Sequence, residues 1–308
     1  MAMKKVLIFL DSDSLGDTIA CIPYVNKFFE DNECEVYLSI EEHFIFLFES
    51  SYTNINYLSR SYDLNFDEVI TLIPSFTKNL QLGYAEQLGY VSGEYIKPKL
   101  NFELKDRPIK NKYVTMSVHS TIQMKYWNHP LGNQVQGLQP YWNDLSSMIR
   151  KKGMTPVVID KNELFGDSEN FNGIPKKCQN KTGMSLYDTI NFIQHSEFFI
   201  GLSSGLSWLA HALGKKVVMI SNFTESWYEF DLNDNDYIRI TNNNVCNGCF
   251  NKIGVDYEID VWDWYWCPKH KGTERQFECS KSITPEQVIE EISKHLEKNE
   301  YISNEFIF

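Results

Sequence analysis

Residues 199–221 read FIGLSSGLSWLAHALGKKVVMIS. The apolar run Phe198 to Ile200 reads as a strand, a turn of glycines and serines follows, and Gly205 to Leu213 carries apolar and small residues at helical length. Lys216 to Ile220 is a second apolar run and reads as the next strand. The same alternation extends backward through strand Tyr113 to Val118, helix Tyr141 to Lys152, strand Thr155 to Ile159 and helix Leu186 to Ser196. Strands alternating with helices imply a parallel sheet covered on both faces.

A second alternation stands at the start of the chain. Lys4 to Leu10 (KKVLIFL) is a strand, Asp17 to Glu30 a helix, Cys34 to Ile40 and Glu68 to Leu72 further strands, and Phe44 to Phe48 a short helix. Lys97 to Lys112 (KPKLNFELKDRPIKNK) holds two prolines and many charges without a sustained period, so it reads as the linker. The expected domains are 1–108 and 109–308, with a cysteine-bearing segment at about 244–281 in the second. Thr284-Pro285-Glu286 opens a last helix, Thr as cap and Pro in its first position, running to about Lys298.

A length of 308 residues suits two α/β domains. With 29 Lys and Arg against 41 Asp and Glu the net charge is −12, which disfavours a general nucleic-acid binder. No apolar run approaches the roughly 20 residues needed to cross a bilayer, and the start lacks the features of a secretory signal. The expected location is cytoplasmic. Of seven cysteines, Cys246, Cys249, Cys267 and Cys279 crowd into one stretch of 34 residues, whereas Cys21, Cys34 and Cys178 stand apart. In a reducing compartment such a cluster more often holds a metal than forms disulfides.

Four segments can carry chemistry. In Asp11 to Thr18 (DSDSLGDT) a glycine between strand and helix permits close backbone approach, and the helix start favours an anion. Gly16 and Thr18 are candidate ligand contacts there and Asp17 a candidate base, although Asp17 and Thr18 could equally cap the helix. In Ser120 to Asn128 (STIQMKYWN), Thr121 and Lys125 can bind phosphate oxygens, or Lys125 can be an exposed loop lysine. Ser203, Ser204, Gly205 and Leu206 present unpaired amides at a helix start, a diphosphate cradle, or else a serine caps a buried helix. Cys246-x2-Cys249, then seventeen residues to Cys267 and eleven to Cys279, can complete a tetrahedral site for iron or zinc, or remain four free thiols.

Taken in order, LGDTIACIPYV (15–25), STIQMKYWN (120–128), residues 199–221, NVCNGCF (244–250), WYWCPKH (264–270) and RQFECSKSITPEQV (275–288) resemble the bacterial autotransporter heptosyltransferases, relatives of the lipopolysaccharide heptosyltransferases. The resemblance implies a GT-B fold of two Rossmann-like α/β domains with parallel sheets, 1–108 on the acceptor side and 109–308 binding the nucleotide sugar, with a small metal finger at about 244–281 in the second. It implies an inverting, nucleotide-sugar-dependent mechanism without a catalytic metal, and structural iron in the finger. By position, Asp17 matches the family's general base and Lys125 the lysine on the donor diphosphate. Thr121 and Ser203 to Leu206 match donor-phosphate contacts, and the four clustered cysteines match the metal ligands. Family members carry an N-terminal extension that helps assembly and acceptor contact, whereas here the first strand begins at Lys4. Acceptor and oligomeric state therefore stay open.

The leading function is transfer of a sugar from an ADP-heptose-like donor to a hydroxyl of a macromolecule, with Ser or Thr of a protein favoured. One alternative is a phage-type enzyme that modifies a hydroxylated DNA base, for which Lys151, Lys152, Lys176 and Lys177 are the dense basic pairs. The other is a non-catalytic interaction module built around the finger.

Overall fold

The computed structural model describes residues 3–122, 125–127, 140–166, 171–252, 254–255, 257–260 and 262–294. Its first sheet is parallel, in the order β3-β2-β1-β4. The strands are β1 (Lys4–Leu10), β2 (Cys34–Ser39), β3 (Asn56–Leu58) and β4 (Glu68–Leu72). Helix α1 (Leu15–Asp31) follows β1, α2 (Glu42–Ile45) follows β2, and α3 (Leu80–Gln87) follows β4. Neither β3 nor α3 was expected. The strand spans three residues, and the helix mixes glycine and glutamine with its apolar residues, so neither yields a sustained period.

The second sheet has the order β12-β11-β10-β5-β6-β9. It is built from β5 (Tyr113–Met116), β6 (Thr155–Val158), β9 (Gln179–Asn180), β10 (Phe199–Leu202), β11 (Val217–Ile220) and β12 (Tyr237–Ile240). Helices α4 (Pro140–Lys151), α5 (Leu186–His195) and α6 (Gly205–Ala212) cover it. A small hairpin, β7 (Phe165–Gly166) with β8 (Phe171–Asn172), stands apart. Alternate residues of each central strand go to different cores. Tyr113, Val157, Phe199, Val217 and Met219 share one core with the whole first sheet, while Val114, Met116, Val158, Ile200 and Val218 face the other. Burial on both faces is what turns these strands into unbroken apolar runs.

The stretch from Lys97 to Lys112 contains no helix or strand and is anchored to both sheets' layers. Asn101 N donates to Ser51 Oγ at 2.8 Å, Leu100 N to Ala212 O at 2.8 Å, and Lys97 pairs with Asp236 at 2.8 Å. Near the C-terminus, helix α8 occupies 285–294, and the expected end at Lys298 lies outside the described residues. Thr284 and Gln287 exchange reciprocal hydrogen bonds of 2.9 and 3.3 Å, a capping box around Pro285. The finger folds around a small core of Phe223, Trp266, Cys267 and Phe277, with α7 (Glu278–Lys281) at its end.

Candidate active site

In the first sheet the chain leaves β1 toward β2 and β3 and returns to β4 on the other side. In the second it leaves β5 toward β6 and β9 and returns to β10. Ligands of open α/β sheets bind beyond the carboxyl ends of strands at such reversals. A cleft of about 960 Å3 lies there, lined by the loops after β1, β4, β5, β6 and β10. Asp17, Gly16, Thr121, Lys125, Ser203, Ser204, Gly205 and Leu206 all line it.

The two halves touch at two glycines. A Cβ on Gly205 would stand 2.9 Å from Leu15 Cβ and 3.1 Å from Gly16 N, and a Cβ on Gly16 would stand 3.1 Å from Trp208 Cδ1. Gly16 and Gly205 therefore bring the starts of α1 and α6 together. The group that approaches these glycines closely is the other helix, and not only a ligand as their place between strand and helix suggests.

Ser14 is the N-cap of α1 and accepts from Asp17 N at 3.3 Å. The cap reading of Asp17 and Thr18 is thus corrected. Thr18 is buried outside the cleft, and its hydroxyl donates to Ser14 O at 2.9 Å. The Asp17 carboxylate is left to accept from Ser12 Oγ. Burial raises its pKa, and the Ser12 hydrogen bond and the charge of Lys125 only partly oppose that. Arg60 fixes this loop by donating to Ser12 O at 2.6 Å, and its guanidinium covers the Phe9 ring.

Across the cleft, Lys125 Nζ donates to Ser203 O at 3.0 Å. Burial lowers its pKa, while Glu229 and Asp17 pull it back up. A diphosphate placed here would compensate the buried cation. The two serines differ. Ser203 Oγ donates to the buried Glu229, which pairs with Arg239 at 2.8 Å and accepts from Thr224 Oγ1 at 2.7 Å. Ser204 is the N-cap of α6 without a side-chain cap bond, and its buried Oγ has no partner among the described residues. Buried His119 Nδ1, also at the cleft, is likewise without one. Unfilled polar atoms beside a helix start suit phosphate and hydroxyl groups. Gln123, Met124 and Asn128 of the Lys125 segment lie outside the described residues.

In the finger, burial and neighbouring thiols push Cys249 and Cys279 up to about 12, with Cys246 and Cys267 among the interacting groups. A cation bound beside Cys249 and Cys279 would favour their thiolates and offset that effect. Among the described residues the group whose ligand atoms lie within 4.8 Å of one another is Cys246, His270 and Glu278, and the four thiols expected as ligands are not drawn together to that distance. Arg275 occupies Glu278 through bonds of 2.8 and 2.6 Å, which leaves the thiols the better donor set.

Sequence reasoning missed Ser12, Arg60, Glu229, Arg239 and Phe250, the last a finger residue lining the cleft. The Glu229–Arg239 pair did leave a trace. Each is a lone charge in an apolar run, WYEF and YIRI, and lone opposite charges inside a core must find each other.

No family model matches the chain. Aah, an autotransporter heptosyltransferase of Escherichia coli, is 34% identical over 301 residues, which cover 92% of this chain and 72% of that protein. The crystal structure of dodecameric iron-containing heptosyltransferase TibC in complex with ADP-D-beta-D-heptose gives a TM-score of 0.84 at 27% identity, covering 97% of this chain and 78% of that one. E. coli ADP-heptose lipopolysaccharide heptosyltransferase II shares the fold at 12% identity, with a TM-score of 0.62 over 97% of this chain and all of that one. Among the described residues no helix is long and apolar enough to cross a membrane. Two parallel sheets facing one cleft and a relative 34% identical over 92% of this chain lead to one assignment: the chain belongs to the autotransporter heptosyltransferase family, glycosyltransferases of the GT-B fold.

Proposed function

We propose that this enzyme transfers a heptose-like sugar from an ADP-linked donor to a hydroxyl of a protein, with inversion at the anomeric carbon. The observation that carries the reading is the convergence of α1 and α6 on one cleft, with Asp17 on one wall and Lys125 beside the unfilled Ser204 on the other. Asp17 takes the proton from the acceptor hydroxyl as its oxygen forms the new bond to the anomeric carbon. The bond from that carbon to the diphosphate oxygen breaks on the opposite face, and ADP leaves with the electron pair. Lys125, Thr121, Ser204 and the amides of Gly205 and Leu206 offset the charge that builds on the diphosphate. No bound metal takes part in this step.

Cys246, Cys249, Cys267 and Cys279 hold one iron or zinc ion, which supplies cross-linking and charge compensation within the finger. The TibC chain is described as dodecameric, and self-association of this chain is part of the same proposal. So is a cytoplasmic location, where ADP-sugars are available to it.

Transfer and donor binding separate the roles. Asp17→Asn should bind donor normally and lose roughly a hundred- to ten-thousand-fold in transfer rate. Lys125→Ala should lose donor affinity and, through the leaving group, roughly a hundredfold or more in turnover. Near-normal transfer by Asp17→Asn would sink the base assignment. Incorporation of label from ADP-heptose into protein, rather than into hydroxymethylated DNA, checks the acceptor.

A further inference from the structure

The cysteine finger reaches the segment carrying Lys125 from two sides. Phe250 directly follows Cys249, lines the cleft, and sets its ring centroid 5.7 Å from Lys125 Nζ. Its backbone is fixed to the loop after β11, because Gly248 N donates to Asn222 O at 2.8 Å and Phe250 N to Phe223 O at 3.0 Å. Gly248 makes that turn with φ of 69°, a backbone conformation that favours glycine. The ring is also braced edge-on by Phe76, 5.1 Å away, from the loop after β4. From the other side, Ser280 follows Cys279 and donates to Tyr126 O at 2.7 Å, and Trp127 Nε1 donates to Ile283 O at 2.9 Å.

An ammonium has three hydrogens to place. Ser203 accepts from Lys125 on one side through both its carbonyl oxygen at 3.0 Å and its hydroxyl at 3.3 Å, the Phe250 ring lies on another, and the cleft that Lys125 lines is the remaining direction. An aromatic face attracts a cation and excludes water from it, so the ring both steadies the charge and aims it.

We propose that Phe250 is a positioning residue for the donor: it holds the Lys125 ammonium toward the diphosphate, which makes the finger part of the donor site. The proposal rests on the reading of Lys125 as a diphosphate contact. It goes beyond a structural role for the cysteines, because it links the CxxCF turn to ligand affinity and not only to folding.

Calorimetric titration of ADP into the metal-loaded protein tests it, using Phe250→Leu, Phe250→Met, Phe250→Tyr, Lys125→Ala and the Phe250→Leu/Lys125→Ala pair. The two ringless variants should bind ADP roughly 3- to 30-fold more weakly, and Phe250→Tyr, which keeps the ring, should bind nearly as wild type. In the Lys125→Ala background Phe250→Leu should weaken binding no further, a non-additivity that a merely structural residue would not give. Metal content and thermal midpoint should stay near wild type. If Lys125→Ala weakens ADP binding and the ringless variants do not, the positioning role fails and the donor reading stands. If Lys125→Ala binds ADP normally, the donor reading fails and takes this proposal with it. Additive losses would mean that the ring contacts the nucleotide itself, and loss of metal in both ringless variants would make Phe250 a folding residue of the finger. Either result overturns the proposal.

Discussion

Asp17 owes its character to neighbours that local pattern cannot supply. Ser14 takes over the capping, Ser12 holds the carboxylate, and the packing of α6 against α1 buries it enough to raise its pKa above the ordinary 3.8. A raised pKa makes the carboxylate a stronger base than a free one, so it accepts a proton more readily. The acid limb of the transfer-rate profile should therefore fall with a midpoint above 3.8, and the limb should vanish in the residual activity of Asp17→Asn. Stability gives an independent check. A carboxyl whose folded pKa is raised contributes stability below its unfolded pKa, and this is lost as pH rises through the folded value. At neutral pH Asp17→Asn should accordingly melt at the same temperature as wild type or higher. A midpoint several degrees lower would reveal a structural residue instead.

At the scale of elements, the contact between α1 and α6 fixes the width of the cleft. Gly205→Ala puts a methyl group against Leu15 Cβ and Gly16 N, neither of which is the movable end of a side chain. The helices must separate, at a cost of about 1–3 kcal/mol as for other overpacked sites. Urea denaturation should show that loss, and ADP affinity should fall with it. Unchanged values in both would mean that the helix starts are not held together here. Farther along α6, His211 is fully buried, stacks on Phe230 and bonds to Asp234 at 2.9 Å. Burial lowers its pKa from 6.5 to about 4, with Lys97 adding to that and Asp234 and Asp236 opposing it. The unfolded chain takes up a proton below 6.5 that the folded chain refuses until about 4, so stability falls as pH falls through that window. The gap corresponds to roughly 3 kcal/mol. Denaturation between pH 7 and 4.5 should show a shallower acid slope for His211→Gln than for wild type.

For the whole molecule, the finger joins the two halves of the site. Phe250 meets Phe76 of the first half, and Ser280 meets Tyr126 of the second. Its own core is small, so a metal held by the proposed cysteine site would supply much of its folding free energy. Elemental analysis of fresh protein should find about one iron or zinc per chain. Cys267→Ser should lose it together with on the order of 4 kcal/mol or more of stability, because loss of a metal belongs with the largest single-substitution effects. A fully stable Cys267→Ser, or protein free of both metals, would remove the metal site.

The sequence by itself determined that strands and helices alternate in two blocks, that the strands are buried on both faces, and that four cysteines gather near the C-terminus. Those features are local, carried by the period of apolar residues and by the spacing of thiols. It also located the loop after β1, the Lys125 segment and the start of α6, because turns of glycine and hydroxyl residues at strand ends stand out from apolar runs. Only the tertiary structure decided which of two adjacent serines lacks a side-chain partner among the described residues, since Ser203 is engaged by a glutamate that follows 26 residues later and Ser204 is not. It alone decided that Gly16 and Gly205 accommodate each other, that Thr18 turns away from the cleft, and that Phe250 stands beside Lys125. Each of these depends on a contact between segments far apart in the chain, and no local period encodes which partner a residue will meet when the two sheets close over one cleft.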